Sequence, residues 1–358
     1  MRVVLVAEQL RRGVPGGIGT YVRGLAQGLR ALGADGPEVA LWASRPRRRE
    51  HDPVGLLGPV VTSRLPGPVL LWAWDSGLGG FGGRADVVHA SSLAVPPRRR
   101  APVTAMVHDL AWRRVPDAFP ARGRRWHEAA LGRALARASV LLTPSSATAD
   151  DLVGAGADAG RVEVVEEGAD HLPPPDQAAA EACLRRAGVA GRYLLTVSTL
   201  EPRKNLARLA AAYQEARPRL PEPWPLVVVG PPGWGEQGPA PGEGVVLVGP
   251  VEGATLAALY AGARAVVYVP LVEGFGLPAV EAMAAGVPVV ASPMPSTGGA
   301  ALEVDPLDTG AIAAALVRAA TDEGTRSALV DAGTRRAGAL TWKATARRHH
   351  EIWAAVDG

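Results

Sequence analysis

Glu273 and Glu281 bracket the run Glu273-Gly274-Phe275-Gly276-Leu277-Pro278-Ala279-Val280-Glu281. Pro278 suits the first turn of a helix, where its missing N–H costs nothing. Gly274 and Gly276 let the backbone come close to a ligand. The free N–H groups and dipole of such a helix start would hold a phosphate. The flanking carboxylates would accept hydrogen bonds from hydroxyl groups such as those of a sugar. Upstream, Glu201-Pro202-Arg203-Lys204-Asn205 sits just after an apolar run, between strand and helix patterns. An adjacent Arg and Lys there would clamp a diphosphate, Arg by its planar fork and Lys as a point charge. Two cations are unfavourable beside the positive end of a helix dipole, so a bound anion explains them better than a surface pair does.

Three further groups carry less information. Gly16-Gly17-Ile18-Gly19-Thr20 reads as a strand-to-helix turn that can cradle phosphate, without the full G-x-G-x-x-G spacing. His108-Asp109 ends another apolar run, where a His can meet a sugar hydroxyl or a departing phosphate. His89 reads as structural, His349-His350 as a solvated pair, and Trp72 and Trp74 as core or as contacts to lipid or acceptor. The chain has no Asp-x-Asp, no Gly-x-Ser-x-Gly and no His/Cys/carboxylate cluster at metal-ligand spacing. Hydrolase-type nucleophiles and bound-metal catalysis both lose support.

These residues need strand ends and helix starts to hold them. Short apolar runs predict strands at Val3–Ala7, Val39–Trp42, Val87–Val88, Val103–Val107, Val140–Leu142 and Val162–Val165. Helical periodicity falls between them at Tyr21–Leu32, Trp126–Ala138 and Ala147–Gly154, the last capped by Ser145 or Ser146. After the proline-rich His171–Pro175 the alternation restarts. Strands are predicted at Tyr193–Val197, Leu226–Val229, Val245–Val248, Ala265–Tyr268 and Val287–Ala291. Helices are predicted at Asn205–Ala216, from Thr255, at Pro278–Ala285, at Thr309–Ala320 and at Thr341–Val356. Such alternation gives parallel sheets covered on both faces. The fold class is therefore α/β, with two Rossmann-like domains expected to face a cleft. Boundaries fall at 1–175 and 176–340, with a final helix at 341–358.

The 358 residues suffice for two domains. A single cysteine, Cys183, excludes an intrachain disulfide framework. No apolar run is long enough to span a bilayer or to form a secretory core, so a soluble, cytoplasmic protein is expected. The formal net charge of +3 is uneven. Residues 1–170 hold 22 arginines and 17 acids, with basic clusters at Arg47–Arg49, Arg98–Arg100 and Arg122, Arg124 and Arg125. A basic first domain suits an anionic membrane or an anionic acceptor. With few aromatics and no binding motif, nucleic acid is not an expected partner.

Together these motifs resemble the retaining glycosyltransferases of family 4, which have the GT-B fold. The likeness runs collinearly from Gly16–Gly19 through His108-Asp109, Thr143-Pro144-Ser145, Glu201–Asn205 and Glu273–Glu281. It continues to Gly299-Ala300-Ala301-Leu302 and Val304-Asp305-Pro306. The resemblance implies a nucleotide-sugar donor held by the second domain, a glycan or lipid-linked acceptor held by the first, and no metal cofactor. It implies Arg203 and Lys204 on the diphosphate, and Glu281 on the ribose. Glu273 with the Phe275-Gly276-Leu277 backbone would meet the donor sugar. Gly17 would lie near the phosphates, His108 near the reacting carbon, and Val251 near the base. It also implies a final helix that crosses back to the first domain. GDP-mannose is the first donor expected and UDP-glucose the second. A sugar-nucleotide epimerase and a non-catalytic binding partner share the architecture; product analysis with donor alone separates the epimerase. One departure stands out: only Thr297 lies between Ser296 and Gly298, where the family usually carries a longer segment with a Pro-Glu pair.

Overall fold

The computed structural model describes residues 1–46, 52–222, 224–233 and 242–357. The Arg47–Arg49 cluster lies outside the described residues. The chain divides into two compact units, one of 1–113, 119–171 and 341–358, the other of 114–118 and 172–340.

The first unit is built on seven parallel strands: β1 (Arg2–Val6), β2 (Glu38–Ala43), β3 (Val60–Thr62), β4 (Val87–Ala90), β5 (Val103–Met106), β6 (Val140–Thr143) and β7 (Val162–Val164). Their order is β3-β2-β1-β4-β5-β6-β7. Helices α1 (Gly16–Ala31), α2 (Gly67–Asp75), α3 (Ala111–Arg114), α4 (Ala121–Arg137) and α5 (Ser146–Gly154) fall between them in the chain. Strands β4 and β5 are buried along their whole length, as a sheet covered on both faces requires.

In the second unit α6 (Gln177–Arg186) leads into β8 (Leu194–Val197), α7 (Leu206–Ala216), β9 (Leu226–Val229) and β10 (Val245–Gly249). Next come α8 (Gly253–Gly262), β11 (Ala265–Tyr268), α9 (Leu277–Ala284), β12 (Val289–Ala291) and β13 (Leu302–Glu303). Helices α10 (Thr309–Thr321) and α11 (Glu323–Ala339) close the unit. Its parallel sheet runs β10-β9-β8-β11-β12-β13. Both sheets are doubly wound. The order reverses between β1 and β4 in the first and between β8 and β11 in the second, and crevices beyond strand ends at such points bind ligands.

The last helix, α12 (Trp342–Asp357), packs on α1 within the first unit. Small residues make the contact possible. A Cβ on Gly24 would lie 2.0 Å from the Trp342 ring, and one on Gly28 would lie 2.0 Å from the Trp342 carbonyl oxygen. A buried polar chain then pins the helix to the sheet. Trp353 Nε1 faces Thr104 Oγ1 at 3.2 Å, and Thr104 Oγ1 faces His89 Nδ1 at 2.8 Å. Tyr21 Oη lies 2.7 Å from both His89 Nε2 and His349 Nε2, and His349 Nδ1 lies 2.8 Å from Thr345 O. With both imidazoles neutral, the Thr345 carbonyl, which only accepts, sets the direction of each bond back to the indole, which only donates. Trp353 donates to Thr104, Thr104 to His89, His89 to Tyr21, Tyr21 to His349, and His349 to the Thr345 carbonyl. Both histidines are neutral in this arrangement. Burial, with His349 and His108 nearby, pushes His89 well below the usual range, and burial takes His349 down to about 4.

Several expectations are corrected. Gly16–Gly19 forms the first turn of α1 rather than a loop before it. His349 is fully buried, not one of a solvated pair, because its face of α12 meets Tyr21 and the sheet. Trp72 and Trp74 separate: Trp74 is core and Trp72 is 63% exposed. Strands β3 and β13 and helices α2, α3, α6 and α11 had no sequence prediction. The strands have three and two residues. Helix α2 is apolar on both faces, and α6 and α11 bury mainly alanine, cysteine and glycine.

Candidate functional site

The second sheet reverses order where β8 and β11 lie side by side, and the charged residues converge beyond their carboxyl ends. After β8 the chain turns through Pro202–Lys204 to Asn205, which takes the left-handed conformation at φ 59° and starts α7. Asn205 Nδ2 donates to the carbonyls of Val269 at 3.0 Å and Pro306 at 2.7 Å. Leu271 N donates to Arg203 O at 2.9 Å. These bonds fix the two loops against each other and aim their side chains at one point.

That point is Glu273 Oε2. It accepts from Lys204 Nζ at 2.5 Å, Tyr268 Oη at 2.7 Å and Arg203 Nη1 at 3.2 Å. Lys204 also donates to Tyr268 Oη at 2.8 Å, and Arg203 pairs with buried Glu201 at 2.9 Å. Two cations and two carboxylates thus neutralise one another. Burial pushes the Glu273 carboxyl up, but the charges of Lys204 and Arg203 and the bonds from Lys204 and Tyr268 pull it down to about 2. Burial and the neighbouring Arg203 charge lower the Lys204 ammonium, against the pull of Glu273 and Glu201. Burial raises Glu201, opposed by Arg203 and Lys204.

Helix α9 begins directly behind this cluster. Gly276, at φ 96°, is its N-cap, and no side chain caps it. A Cβ there would meet Met294 Sδ at 2.3 Å, so glycine alone fits both the backbone and the space. Phe275 and Leu277 bury their side chains, leaving their backbone as what they can offer a ligand. Glu281 is buried and accepts from Tyr260 Oη at 2.8 Å. Val251 is half-buried, just past the carboxyl end of β10. Ser198 Oγ and Ser296 Oγ are buried without a hydrogen-bond partner among the described residues. The short Ser296–Gly298 connection is a packed 3₁₀ turn. Arg336 Nε donates to Ser296 O at 2.8 Å, and Thr297 Oγ1 donates to Glu303 at 2.6 Å.

The first unit has its own constellation where β1, β4 and β5 end. Ser91 Oγ donates to Val6 O at 2.7 Å and joins two of those ends. His108 Nδ1 lies 3.1 Å from Glu167 Oε1, and Nε2 lies 3.0 Å from Ser91 O. Both partners accept, an arrangement that favours the charged ring, with both nitrogens protonated. Burial opposes that charge, but the bond and charge of Glu167, the Ser91 carbonyl and Asp109 outweigh it and raise the pKa. The Tyr21 ring meets His108 edge-on at 5.0 Å. Gly17 lies in the first turn of α1, and a Cβ there would meet nothing within 4 Å. Nothing in the protein itself requires glycine at Gly17.

The second-unit cluster brings together Arg203, Lys204 and Glu273, with the start of α9 beside it. His108 and Gly17 lie in the first unit. Sequence reasoning missed Tyr268, Glu167 and Tyr260, and gave Glu201 no role. The first two had a usable signal: each ends or follows a strand at the carboxyl edge of a parallel sheet. Among the described residues no group of three His, Cys, Asp or Glu is placed to hold a metal ion, and no helix is long and apolar enough to cross a membrane.

Comparison with known proteins bears on this arrangement. Residues 191–322 match the family described as glycosyl transferases group 1, and residues 15–171 match glycosyltransferase family 4. The chain is 31% identical to the O-antigen chain mannosyltransferase B of Escherichia coli, over 72% of this chain and 71% of that one. It is 30% identical to a D-inositol 3-phosphate glycosyltransferase of Salinispora tropica, over 94% of this chain and 80% of the relative. In fold it is similar to Anabaena HepE solved with UDP-glucose (TM-score 0.74, 18% identity, 99% and 100% coverage). It is also similar to sucrose-phosphate synthase of Thermosynechococcus elongatus (TM-score 0.72, 20% identity, 99% of each chain).

Proposed function

The chain belongs to the group 1, family 4 glycosyltransferases, with two Rossmann-like parallel-sheet domains, and from that membership we propose a specific reaction. It transfers a hexose from a nucleoside diphosphate sugar to a glycan or lipid-linked glycan, with retention at the anomeric carbon and without a metal ion. The observation that carries this reading is the convergence of Arg203, Lys204 and Tyr268 on Glu273 beside the uncapped start of α9.

The glycosidic C–O bond breaks with negative charge building on the diphosphate. Arg203, Lys204 and the α9 N-terminus are held in place before the reaction, so they stabilise that charge without reorganising. Without the donor the two cations are engaged by Glu201 and Glu273. A diphosphate competes for them, and the Glu273 carboxylate it displaces becomes available to the sugar hydroxyls. Glu281, already oriented by Tyr260, takes the ribose, and the Val251 backbone takes the base. By the family resemblance Gly17 is given to phosphate binding, which would account for a glycine that the fold does not need. By the same resemblance, His108, whose two ring nitrogens are taken by Glu167 and the Ser91 carbonyl, would contribute its charge rather than a free N–H to the reaction. The likeness to the E. coli mannosyltransferase favours mannose as the sugar, for which our donor is GDP-mannose; the UDP-glucose complex of HepE makes UDP-glucose the alternative.

The test is a transfer assay with each donor, an acceptor glycan and a chelator, with the product anomer read by NMR. Retained configuration and undiminished turnover in chelator support the proposal. An inverted product, or loss of turnover restored by a divalent ion, refutes the corresponding part. Conversion of donor without acceptor into an altered sugar makes the protein an epimerase.

A further inference from the structure

Helix α2 departs from the pattern of a surface helix. Such a helix turns charge outward and apolar residues inward. Here Leu70, Ala73 and Trp74 face the core, and the outer face carries Pro68, Val69 at 43% exposure, Trp72 at 63% and Ser76. The only charged residue of α2, Asp75, is committed elsewhere: it pairs with Arg133 at 2.6 Å and accepts from Trp126 Nε1 at 3.1 Å. Leu65 just before the helix and Leu78 just after it are 37% and 54% exposed, so the apolar strip runs past both ends.

The strip is bordered by arginine. Trp74 Nε1 donates to Gly79 O at 3.2 Å, folding the following loop back on α2. A Cβ on the next residue, Gly80, would lie 2.8 Å from Arg99 Cγ and 2.2 Å from Pro97 O. The exposed run Arg98-Arg99-Arg100 therefore lies against the loop that ends the helix. Arg64 and Arg84 are exposed on either side in sequence. From residue 54 to 100 the only acids are Asp75 and Asp86, and Asp86 accepts from Arg2 N at 2.6 Å.

We propose that this face of the first unit, with Val69 and Trp72 at its centre and Arg98–Arg100 at its edge, docks on an anionic phospholipid surface. Tryptophan favours the level of the lipid headgroups, where its ring is apolar and its N–H is wet. Arginines beside it gain from a negative surface potential. A soluble partner with an apolar groove would explain the strip but not the arginines at its edge. A free glycan would explain Trp72 but not Val69, Leu65 and Leu78 together. This docking surface is independent of the donor chemistry assigned above.

The full chain is tested by co-sedimentation with vesicles of phosphatidylcholine alone and of phosphatidylcholine with phosphatidylglycerol, at low and high salt. Binding is expected to the anionic vesicles at low salt, and to fall with salt. Trp72→Ser with Val69→Ser should abolish it. Arg99→Ala should weaken it about fivefold, the equivalent of about 1 kcal/mol for one arginine at a charged surface. The melting temperature and the nucleotide-induced shift of each variant are measured beside it. They stay as in the parent, because both mutated side chains are largely exposed. Equal binding to neutral and anionic vesicles, or no binding to either, overturns the proposal. A dimer that Trp72→Ser converts to monomer, without vesicle binding, assigns the face to a second copy instead and also overturns it. Loss of nucleotide response with vesicle binding intact would count against the donor site alone.

Discussion

Three donors share the single oxygen Oε2 of Glu273, and that crowding gives the residue two opposed effects on the reaction. As a counter-charge it competes with the diphosphate; as a hydrogen-bond acceptor it would hold the sugar. Glu273→Gln is therefore expected to bind free nucleoside diphosphate more tightly than the parent and to turn over more slowly, read by calorimetry and by kcat. A tighter complex with unchanged turnover would remove Glu273 from the sugar subsite. Lys204→Ala removes a preorganised charge and should cost on the order of 10²–10³ in kcat. His108 makes a further prediction. Glu167→Gln keeps an acceptor for Nδ1 but deletes the charge that sustains the imidazolium, so the pKa of His108 should fall, as read by NMR titration. The high-pH limb of the rate profile should then move to lower pH. A His108 titration unchanged by the substitution would show that Glu167 does not hold the proton.

At the scale of elements, the glycines of α1 divide by what surrounds them. Gly28 is enclosed by α12, so Gly28→Ala drives a methyl into the Trp342 carbonyl and should destabilise the first unit by about 1–3 kcal/mol. Gly17 faces open space, so Gly17→Ala should leave the melting temperature equal or slightly raised, alanine being favoured in a helix by up to about 1 kcal/mol. In the account given above, the same change weakens donor binding. A nucleotide affinity equal to the parent's would return Gly17 to an ordinary helix start. The contrast shows what the sequence could reveal. Strands such as Leu226–Val229 were legible because buried β-branched runs leave few alternatives; for the loop residues 201–205 and 273–281 the sequence marked the charged side chains that the fold brings together, but not that they would pair with one another. Helix α2 was not legible, since two apolar faces erase the period. Nor was the role of His349, because a histidine on an apolar stripe gives no sign of its partner until Tyr21 arrives from 328 residues away. Glu167 carried a signal of place, just past a strand end, but not of partner, since His108 is 59 residues distant in the chain.

Across the whole molecule, the neutral chain from Trp353 to Thr345 links α12, β5, β4 and α1 into one acid-sensitive assembly. His349 titrates at about 4 when folded and near 6.5 when unfolded, so between these values the unfolded chain binds more protons. Its contribution is whole above about pH 6.5 and is lost as the pH falls through 4, on the order of 3 kcal/mol. His89 acts in the same direction. His108 acts in the opposite one: its stabilisation is complete below about 6.5 and is lost as the pH rises through its raised value. His349→Asn should flatten the acid limb of a stability–pH curve, because it removes a group that titrates there, and should lower the plateau, because Tyr21 loses a buried partner. An acid limb as steep as the parent's would place the titration elsewhere. The donor site is tested most directly by melting the protein with GDP, UDP, ADP, dTDP and their sugar conjugates. One nucleotide family, at 100 times its dissociation constant, should stabilise the parent by about 2.7 kcal/mol, and should give Arg203→Ala with Lys204→Ala little or nothing. A response equal in parent and double variant, or none in either, would contradict the assignment of the diphosphate to this pair.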